Sequence, residues 1–312
     1  MYSKKKLKPS KLLIGIILML IHAISMSAVT VIAKKLGKVI SGDQIAFLYK
    51  AGVLFCTIPL MFQGSFVNNL KTSKLKLHML RAVFSLGGSV CFYRGLLHVP
   101  ATDATAVTYL EPIIGLIVGV IYFSEKVSIK KILLVTLCLS GVLFIIRPGF
   151  DNFNTHYIYL LGALLFWAMN NLSIKILGKT EKTVTSLFYV SLFTTIFALP
   201  LAMKHSWDGF TTDYIKHVVV ITIFHMTHMI CFYRALKITD MSAVMPFDYT
   251  RLLFTGVLSY LFLGEYPNKY SAIGYCLIAA GGLMLILYET KKRGWSRESE
   301  EKFIREKEKH TS

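Results

Sequence analysis

The sequence predicts an all-α integral membrane protein whose ten transmembrane helices form two inverted five-helix repeats. Of its 312 residues, 54% are hydrophobic and only 17% are charged, whereas soluble domains carry about 25% charged residues. The apolar residues fall into about ten long blocks, and part of the first half recurs in the second half. No stretch between the blocks is long enough for a soluble catalytic domain, which excludes a soluble enzyme.

Each apolar block is about 20 residues long, the length at which a helix crosses the bilayer core. Many of the loops between the blocks contain Gly, Asn, Asp or Pro. The first block follows a run of lysines and is longer than the apolar core of a cleavable signal peptide, so we expect a retained first span. The predicted spans are 12–33, 45–64, 78–97, 103–123, 130–147, 157–176, 184–203, 215–237, 242–263 and 270–288.

The basic residues predict the orientation of the chain in the membrane. Lys and Arg number 35 against 17 Asp and Glu, which gives a formal net charge of +18. Before the C-terminal tail is added, fifteen basic residues lie on the side that holds both termini and seven on the opposite side. The positive-inside rule therefore predicts a multi-pass protein of the bacterial inner membrane with both termini in the cytoplasm. The charge serves orientation in the lipid bilayer, so no nucleic-acid partner is expected.

The chain divides into two helical repeats with charged ends. The five cysteines all lie inside apolar blocks and form no CxxC motif, so neither a disulfide framework nor a zinc site is indicated. The C-terminal tail is too charged to bury a core. The predicted parts are a basic N-terminus (1–11), a first five-helix repeat (12–147), a connecting loop (148–156), a second five-helix repeat (157–289) and a charged cytoplasmic tail (290–312).

An internal repeat relates residues 91–146 to residues 231–286 at an offset of 140 without a gap. Eleven of the 56 positions are identical, including a CFYR tetrapeptide and the glutamates Glu125 and Glu265. Since each half holds five predicted spans, and five is odd, the second half must enter the membrane in the opposite orientation. Inverted repeats recur in secondary transporters, because two mirrored halves can exchange inward-open and outward-open states.

Three segments carry a family resemblance: LRA at 80–82, ATDATAVTYLEPIIGLIVGVIYFSEKVS at 101–128 and SAVMPFDYTRLLFTGVLSYLFLGEYP at 242–267. They resemble the drug/metabolite transporter superfamily in its ten-helix EamA-type branch, over about residues 12–289. The resemblance implies alternating-access transport of a small polar metabolite, without a cofactor. The third segment is most similar to the S-adenosylmethionine uptake group of obligate intracellular alphaproteobacteria, which makes that uptake the implied function. Export of amino acids or related metabolites is the alternative.

Two other function classes are less compatible with the sequence. A membrane-embedded enzyme would need a nucleophile with its base, or a set of metal ligands, and the chain contains no HExxH, GxSxG or P-loop motif. No catalytic residues are therefore predicted. A channel is disfavoured because two inverted halves that meet at a midplane site suit alternating access better.

Ionisable side chains inside the predicted spans are the candidate substrate pathway, because such groups are costly in a bilayer and face the bundle interior or water. Glu111 lies in the middle of the fourth span, where Pro112 is expected to bend the helix. Glu111 is either a substrate or proton site, or the structural partner of Lys50 or Arg251. Asp248 and Arg251 are spaced i, i+3 and can neutralise each other, so their pair is either functional or structural.

Uncharged polar and aromatic side chains complete the predicted pathway. His225 and His228 share a helix face and could bind a metal with His22, but no further ligand follows at a recognisable spacing, so no metal site is expected. For the asparagines two roles stay open, because an asparagine in a bilayer either bridges helices or binds substrate. For the tyrosines the two possible roles are cavity wall and interface anchor. These candidates are Trp167, Asn170, Asn171, Tyr109 and Tyr249.

The fifth and tenth spans are nearly free of polar side chains. Their small residues, among them Ser140, Gly141, Gly281 and Gly282, suit close contacts between helices. We therefore expect these two spans to act as a scaffold or to form a homodimer, and the other eight to form the pathway.

The predicted topology can be tested with reporter fusions. A reporter fused after residue 209 should report the periplasm and one fused after residue 179 the cytoplasm, because the basic residues retain their loops on the inner side. The opposite pattern of reporter activity would refute the assigned orientation.

Overall fold

The structure is a computed structural model that describes residues 9–62, 65–111, 114, 128–147, 154–178, 180–238, 244–285 and 287–288. Within these segments all regular secondary structure is helical, which confirms the all-α class. The count of ten spans and the inverted relation of the two halves stay predictions.

Within the described residues, the first half of the chain contributes six helices. Pro59 lies inside the second of them, and the third is a single short turn between two long helices. The helices are α1 (Pro9–Leu36), α2 (Gly42–Met61), α3 (Phe66–Leu70), α4 (Leu75–Leu96), α5 (Ala101–Thr108) and α6 (Ile129–Ile146).

In the part of the second half that the structure describes there are five α-helices and one turn of 3₁₀-helix. That turn leads directly into the fourth of these α-helices. The elements are α7 (Tyr157–Leu177), α8 (Thr183–Ala202), α9 (Thr212–Ile238), the 3₁₀-helix (Met245–Tyr249), α10 (Thr250–Leu263) and α11 (Lys269–Leu285).

Five of the described helices are long and apolar enough to cross a membrane: α1, α2, α7, α8 and α9. They coincide with predicted spans. The third predicted span is the helix α4, which is less apolar because it carries Lys76, Arg81 and Arg94. The fifth and tenth predicted spans are the shorter apolar helices α6 and α11.

Local sequence signals set several of the helix ends. Before α2, the Ser41 side chain accepts a hydrogen bond from the Gln44 backbone N–H, and the Gln44 side chain accepts one from the Ser41 backbone N–H. This reciprocal capping satisfies two backbone donors that a helix start leaves open. Helix α10 ends at Gly264, whose φ of 69° is left-handed and which therefore favours glycine.

The outer surface of the bundle is apolar. Phe55, Ile129 and Leu253 are 77%, 74% and 70% exposed, whereas charged side chains such as Arg81 and Asp103 are buried. This reversal of the usual distribution matches a surface that contacts lipid.

The main helix contacts join the two halves of the chain. Helix α1 packs against α9 and α10, α2 packs against α8, and α4 packs against α7 and α8. The interface between the halves therefore runs through the centre of the bundle, where polar side chains from both halves can meet.

Helices α6 and α11 pack closely through their glycines. A Cβ added at Gly274 would lie 2.5 Å from the Gly141 carbonyl oxygen and 2.6 Å from Cγ1 of Ile145. One added at Gly281 would lie 2.6 Å from Sγ of Cys138. Small residues allow this approach of two backbones. The predicted homodimer through these helices would therefore use their outer faces, because the glycine faces are occupied within the chain.

The close packing of α6 on α11 predicts that a glycine-to-alanine substitution in α11 destabilises the protein, whereas the same substitution in α7 does not. Gly274→Ala should destabilise the protein by about 1–3 kcal/mol, the usual cost of overpacking, and should lower the Tm in detergent. Gly162→Ala on α7 is the matched control, because its nearest neighbour, Sγ of Cys91, would lie 3.9 Å away. The control should keep or raise the Tm, since Ala favours helix over Gly. Equal Tm values for both variants would contradict this packing.

Candidate functional site

A polar cavity of about 320 Å³ lies between the two halves of the chain. Its lining contains two cationic side chains, Lys50 on α2 and Arg81 on α4. A smaller cavity of about 200 Å³ adjoins it and contains Glu111 and Arg251. The two cavities share Met26, Phe92 and Trp167 as lining residues, and the remaining polar groups of the larger one include Asn170, Asn171, His225 and His228.

Lys50 and Arg81 form the cationic wall of the larger cavity. The Lys50 ammonium donates a hydrogen bond to Oγ of Ser85 at 3.1 Å. Arg81 donates from Nη1 to Oγ of Ser186 at 2.6 Å and from Nε to Oδ1 of Asn170 at 3.4 Å. No carboxylate is found among the described residues that line this cavity. The Lys50 and Arg81 side chains are thus hydrogen-bond donors that an anionic group of a ligand could meet in this cavity.

Glu111 supplies the carboxylate of the smaller cavity. Its Oε1 accepts a hydrogen bond from Nδ2 of Asn171 at 2.7 Å, so Asn171 connects this carboxylate to the larger cavity. The predicted helix bend at Pro112 lies outside the described residues. The Glu111 carboxylate thus faces a polar space, and Asn171 holds it in place.

Arg251 lies in the same small cavity as Glu111. Its Nη2 donates to Oγ1 of Thr108 at 2.9 Å, and its guanidinium carbon lies 4.9 Å from the centre of the Tyr109 ring. Within the described part of the chain its buried Nε has no hydrogen-bond partner. Arg251 therefore keeps a donor that a bound ligand can use.

The three histidines form a continuous chain of hydrogen-bonded rings rather than a metal site. His225 contacts Oη of Tyr49 at 2.5 Å, and its Nδ1 lies 3.0 Å from Nε2 of His228. His228 Nδ1 lies 3.3 Å from Nδ1 of His22, and His22 Nε2 lies 3.1 Å from Oδ1 of Asp248. In the described segments, no group of three or more His, Cys, Asp or Glu could hold a metal ion.

Asp248 has a hydrogen-bond partner in addition to the cation that its i, i+3 spacing indicates. Its carboxylate pairs with His22 on α1, and Arg251, which donates to Thr108, is close enough to interact with it electrostatically. The contact with His22 arises because α1 packs against the 3₁₀-helix.

Tyr109 and Tyr249 lie inside the bundle, stacked with their ring centres 4.6 Å apart. The Tyr109 hydroxyl donates to the Asp248 carbonyl oxygen at 2.8 Å. Tyr249 packs over Gly282, where an added Cβ would lie 1.6 Å from the tyrosine oxygen. In the described chain neither ring lines the two cavities. Like His22 and Asp248, the two tyrosines pack behind the residues that line the cavities. The other predicted side chains line the cavities themselves.

Ion pairs that the sequence did not predict join the helices at one end of the bundle, which we call the seal. Asp43, Arg94 and His205 also line an open cavity of about 460 Å³ at this end. The Asp43 carboxylate accepts from Nε and Nη2 of Arg94 at 2.7 and 2.6 Å, and lies 3.2 Å from Nε2 of His205. Lys34 pairs with Glu265, which also accepts from the Ala101 backbone N–H at 2.9 Å. In the sequence, these contacts had one signal, the recurrence of Glu125 as Glu265 in the internal repeat.

Further contacts lie at the same end of the bundle. Asp103 accepts hydrogen bonds from the hydroxyls of Tyr157, at 2.6 Å, and Tyr275. His98 stacks on His156 with ring centres 3.9 Å apart. Burial, with the adjacent His156 and Lys34, lowers the pKa of His98, so His98 is neutral at pH 7 and can stack without charge repulsion.

The apolar exterior, the helices long enough to cross a membrane and the cavity lined by polar side chains are together the features of a multi-pass membrane transporter. The model of the EamA-like transporter family matches residues 13–147 and again residues 154–287. The chain belongs to the EamA-like transporter family, and it is therefore a transporter rather than an enzyme.

Known proteins resemble most of the chain. The S-adenosylmethionine uptake transporter of Rickettsia felis is 26% identical over 92% of this chain and 97% of that protein. The riboflavin transporter of Vibrio cholerae is 24% identical over 80% of this chain and 84% of that protein. A solved crystal structure of a protein shares the fold, with a TM-score of 0.57 and 16% identity over 89% of this chain and 97% of that one.

Proposed function

We propose that this protein carries a small polar metabolite with both a carboxylate and a cationic group across the bacterial inner membrane by alternating access, and that S-adenosylmethionine uptake is its activity. The observation that carries the proposal is the presence of ionisable side chains of both signs in the two joined cavities. Lys50 and Arg81 line the larger cavity, and the smaller one holds the Glu111 carboxylate beside the Arg251 guanidinium. A ligand with a carboxylate and a separate cationic centre would find a partner of opposite charge for each.

S-adenosylmethionine has the groups that this arrangement would recognise: a carboxylate, an ammonium, a sulfonium and an aromatic base. Its carboxylate would bind Lys50 and Arg81 through charge-assisted hydrogen bonds, and a cationic centre would lie beside Glu111. Trp167 lines both cavities and offers a ring face for the base or the sulfonium. The larger cavity, about 320 Å³, falls within the ~300–1,000 Å³ of small-ligand sites.

Alternating access would use the interface between the two halves. The inverted-repeat prediction provides two related halves that can rock about a central site. The seal joins these halves, because Lys34 comes from the first half and Glu265 from the second. In this proposal the sealed end is the periplasmic one, both termini are cytoplasmic, and transport requires the seal to break and re-form.

Glu111→Gln tests the substrate role of the carboxylate. The amide keeps the shape and the acceptor for Asn171 but removes the charge. Loss of one charge-assisted contact costs about 1.5–3 kcal/mol, which corresponds to a roughly 10- to 150-fold weaker interaction. Uptake and counterflow of labelled S-adenosylmethionine into proteoliposomes should fall accordingly.

Asp208→Asn is the matched control for this substitution, because it removes a carboxylate that is exposed, and it should transport like the unchanged protein. Retained Tm would show that Glu111→Gln folds. Normal transport by Glu111→Gln across about pH 5 to 8, where histidine and perturbed carboxylates titrate, would contradict the assignment and make Asp248 the better candidate.

A further inference from the structure

We propose that His22, with Asp248 as its counter-ion, binds a proton that drives transport, and that His228, His225 and Tyr49 pass this proton to the substrate cavity. The inference rests on the proposed transport function and names its coupling ion. It requires that His22 can gain and lose a proton, that a path leads to the cavity, and that proton and substrate can bind together.

The partners of His22 define its protonated form. Nδ1 of His22 lies 3.1 Å from the His228 carbonyl oxygen, and Nε2 lies 3.1 Å from Oδ1 of Asp248. A carbonyl oxygen and an ionised carboxylate can only accept hydrogen bonds. Both bonds form together when both ring nitrogens carry hydrogen, so His22 is then an imidazolium paired with the Asp248 carboxylate.

The same ring positions also allow neutral His22 to form hydrogen bonds at both ring nitrogens. Nδ1 of His22 lies 3.3 Å from Nδ1 of His228, close enough to accept a hydrogen bond once it has lost its own proton. Nε2–H continues to donate to Asp248. The two forms therefore differ by one proton on His22 and need no displacement of either ring.

The path to the cavity consists of hydrogen bonds already in place. The proton on Nδ1 of His22 passes to Nδ1 of His228, and the Nε2 proton of His228 passes 3.0 Å to Nδ1 of His225. The Nε2 proton of His225 passes 2.5 Å to Oη of Tyr49, whose own hydroxyl proton leaves into the cavity. One proton leaves His22 and one enters the cavity, so all rings and the phenol end neutral.

After the transfer, all hydrogen bonds of the chain have reversed direction. Tyr49 donates to Nε2 of His225, His225 donates from Nδ1 to His228, and His228 donates from Nδ1 to His22. Each neutral imidazole has one donor and one acceptor nitrogen, so this reversed chain is also fully satisfied. The chain can thus conduct in either direction.

The surrounding charges keep the proton of this pair on His22 rather than on Asp248. Arg251 on α10 follows Asp248 by three residues and stabilises the ionised carboxylate electrostatically. Tyr109 on α5 donates only to the Asp248 backbone, which leaves the carboxylate for His22, and Glu111 is engaged by Asn171.

At the cavity end the surrounding charges have the opposite effect. The Lys50 ammonium on α2 lies 4.9 Å from the centre of the Tyr49 ring. Tyr93 on α4 packs edge-on against Tyr49, with ring centres 6.3 Å apart. Positive charge beside His225 disfavours a second positive charge there, so the proton does not stay at this end of the chain.

The position of the site behind the cavity predicts symport. Tyr49, His225 and His228 line the larger cavity, whereas in the described chain His22 and Asp248 do not. Substrate in the cavity therefore leaves His22 unobstructed, and both can be bound at once. A proton bound together with substrate moves in the same direction.

The transport test uses proteoliposomes with the membrane potential clamped and labelled S-adenosylmethionine outside. With one proton per substrate, an outside that is more acidic by one pH unit supports about tenfold accumulation, since proton activity differs tenfold per pH unit. His22→Gln keeps a donor for Asp248 but cannot bind the extra proton, so it should reach only equal concentrations inside and outside. His217→Gln, on the same helix as His225, is the matched control and should accumulate substrate like the unchanged protein.

A second measurement needs no substrate. In ¹⁵N-histidine NMR of the purified protein in nanodiscs, the imidazole signals that change from doubly to singly protonated as pH rises should include one that is absent in His22→Gln. Asp248→Asn should shift this transition to lower pH by removing the counter-ion.

The outcomes separate the two proposals. If the unchanged protein shows no counterflow of S-adenosylmethionine, the substrate assignment fails and the NMR transition alone decides the proton site. If the unchanged protein and His22→Gln accumulate substrate equally, or if the His22 signal does not titrate, the proton site is refuted. Should His22→Gln fail to fold, the Asp248→Asn shift takes its place, and an unshifted transition overturns the proposal.

Discussion

The energetic cost of burying charge in an apolar bundle determines where the polar side chains of this transporter lie. A charged group in a membrane-spanning segment must find a partner or face water. At the sealed end, Asp43 with Arg94 and Lys34 with Glu265 neutralise each other. The central cavity also holds charged side chains: Lys50 and Arg81 line its larger part, and Glu111 and Arg251 line the smaller part. In the proposed function, a substrate that carries charges of both signs binds among them.

The same constraint explains which parts of the structure were predictable from the sequence. The long apolar blocks predicted helices that the structure contains, since the length and hydropathy of a span are local properties. The rarity of charge in the spans also singled out Lys50, Glu111 and Arg251 as residues of the bundle interior. Both predictions needed only the sequence near each residue.

The sequence did not predict which side chains pair between helices that are distant along the chain. Arg94 and Asp43 lie on different helices, and nothing in their own neighbourhoods indicates the contact. The i, i+3 spacing of Asp248 and Arg251 indicated their electrostatic interaction, but not the hydrogen bond of the carboxylate to His22, which arises from the packing of α1 against the 3₁₀-helix. The glycines of α6 and α11 correctly indicated close helix contacts, although a single sequence could not show that these contacts lie within one chain.

In the proposed alternating-access cycle, the seal would have to open during transport. Its contacts join the two halves: Lys34 pairs with Glu265, Asp43 contacts His205, and Asp103 accepts from Tyr157 and Tyr275. Opening this end would break them together. A difference of a few kcal/mol between two conformations leaves the minor one about 0.1–10% populated, and a bound substrate or proton can shift such a balance.

Crosslinking across the seal tests this central claim most directly. In a variant whose five native cysteines are replaced, Lys34→Cys and Glu265→Cys would be joined by a short thiol-reactive linker, and counterflow of labelled S-adenosylmethionine would be measured before and after linkage. Alternating access through this end predicts that linkage abolishes counterflow, that reductive cleavage of the linker restores it, and that the linked protein still binds substrate. Undiminished counterflow in the fully linked protein would contradict this mechanism.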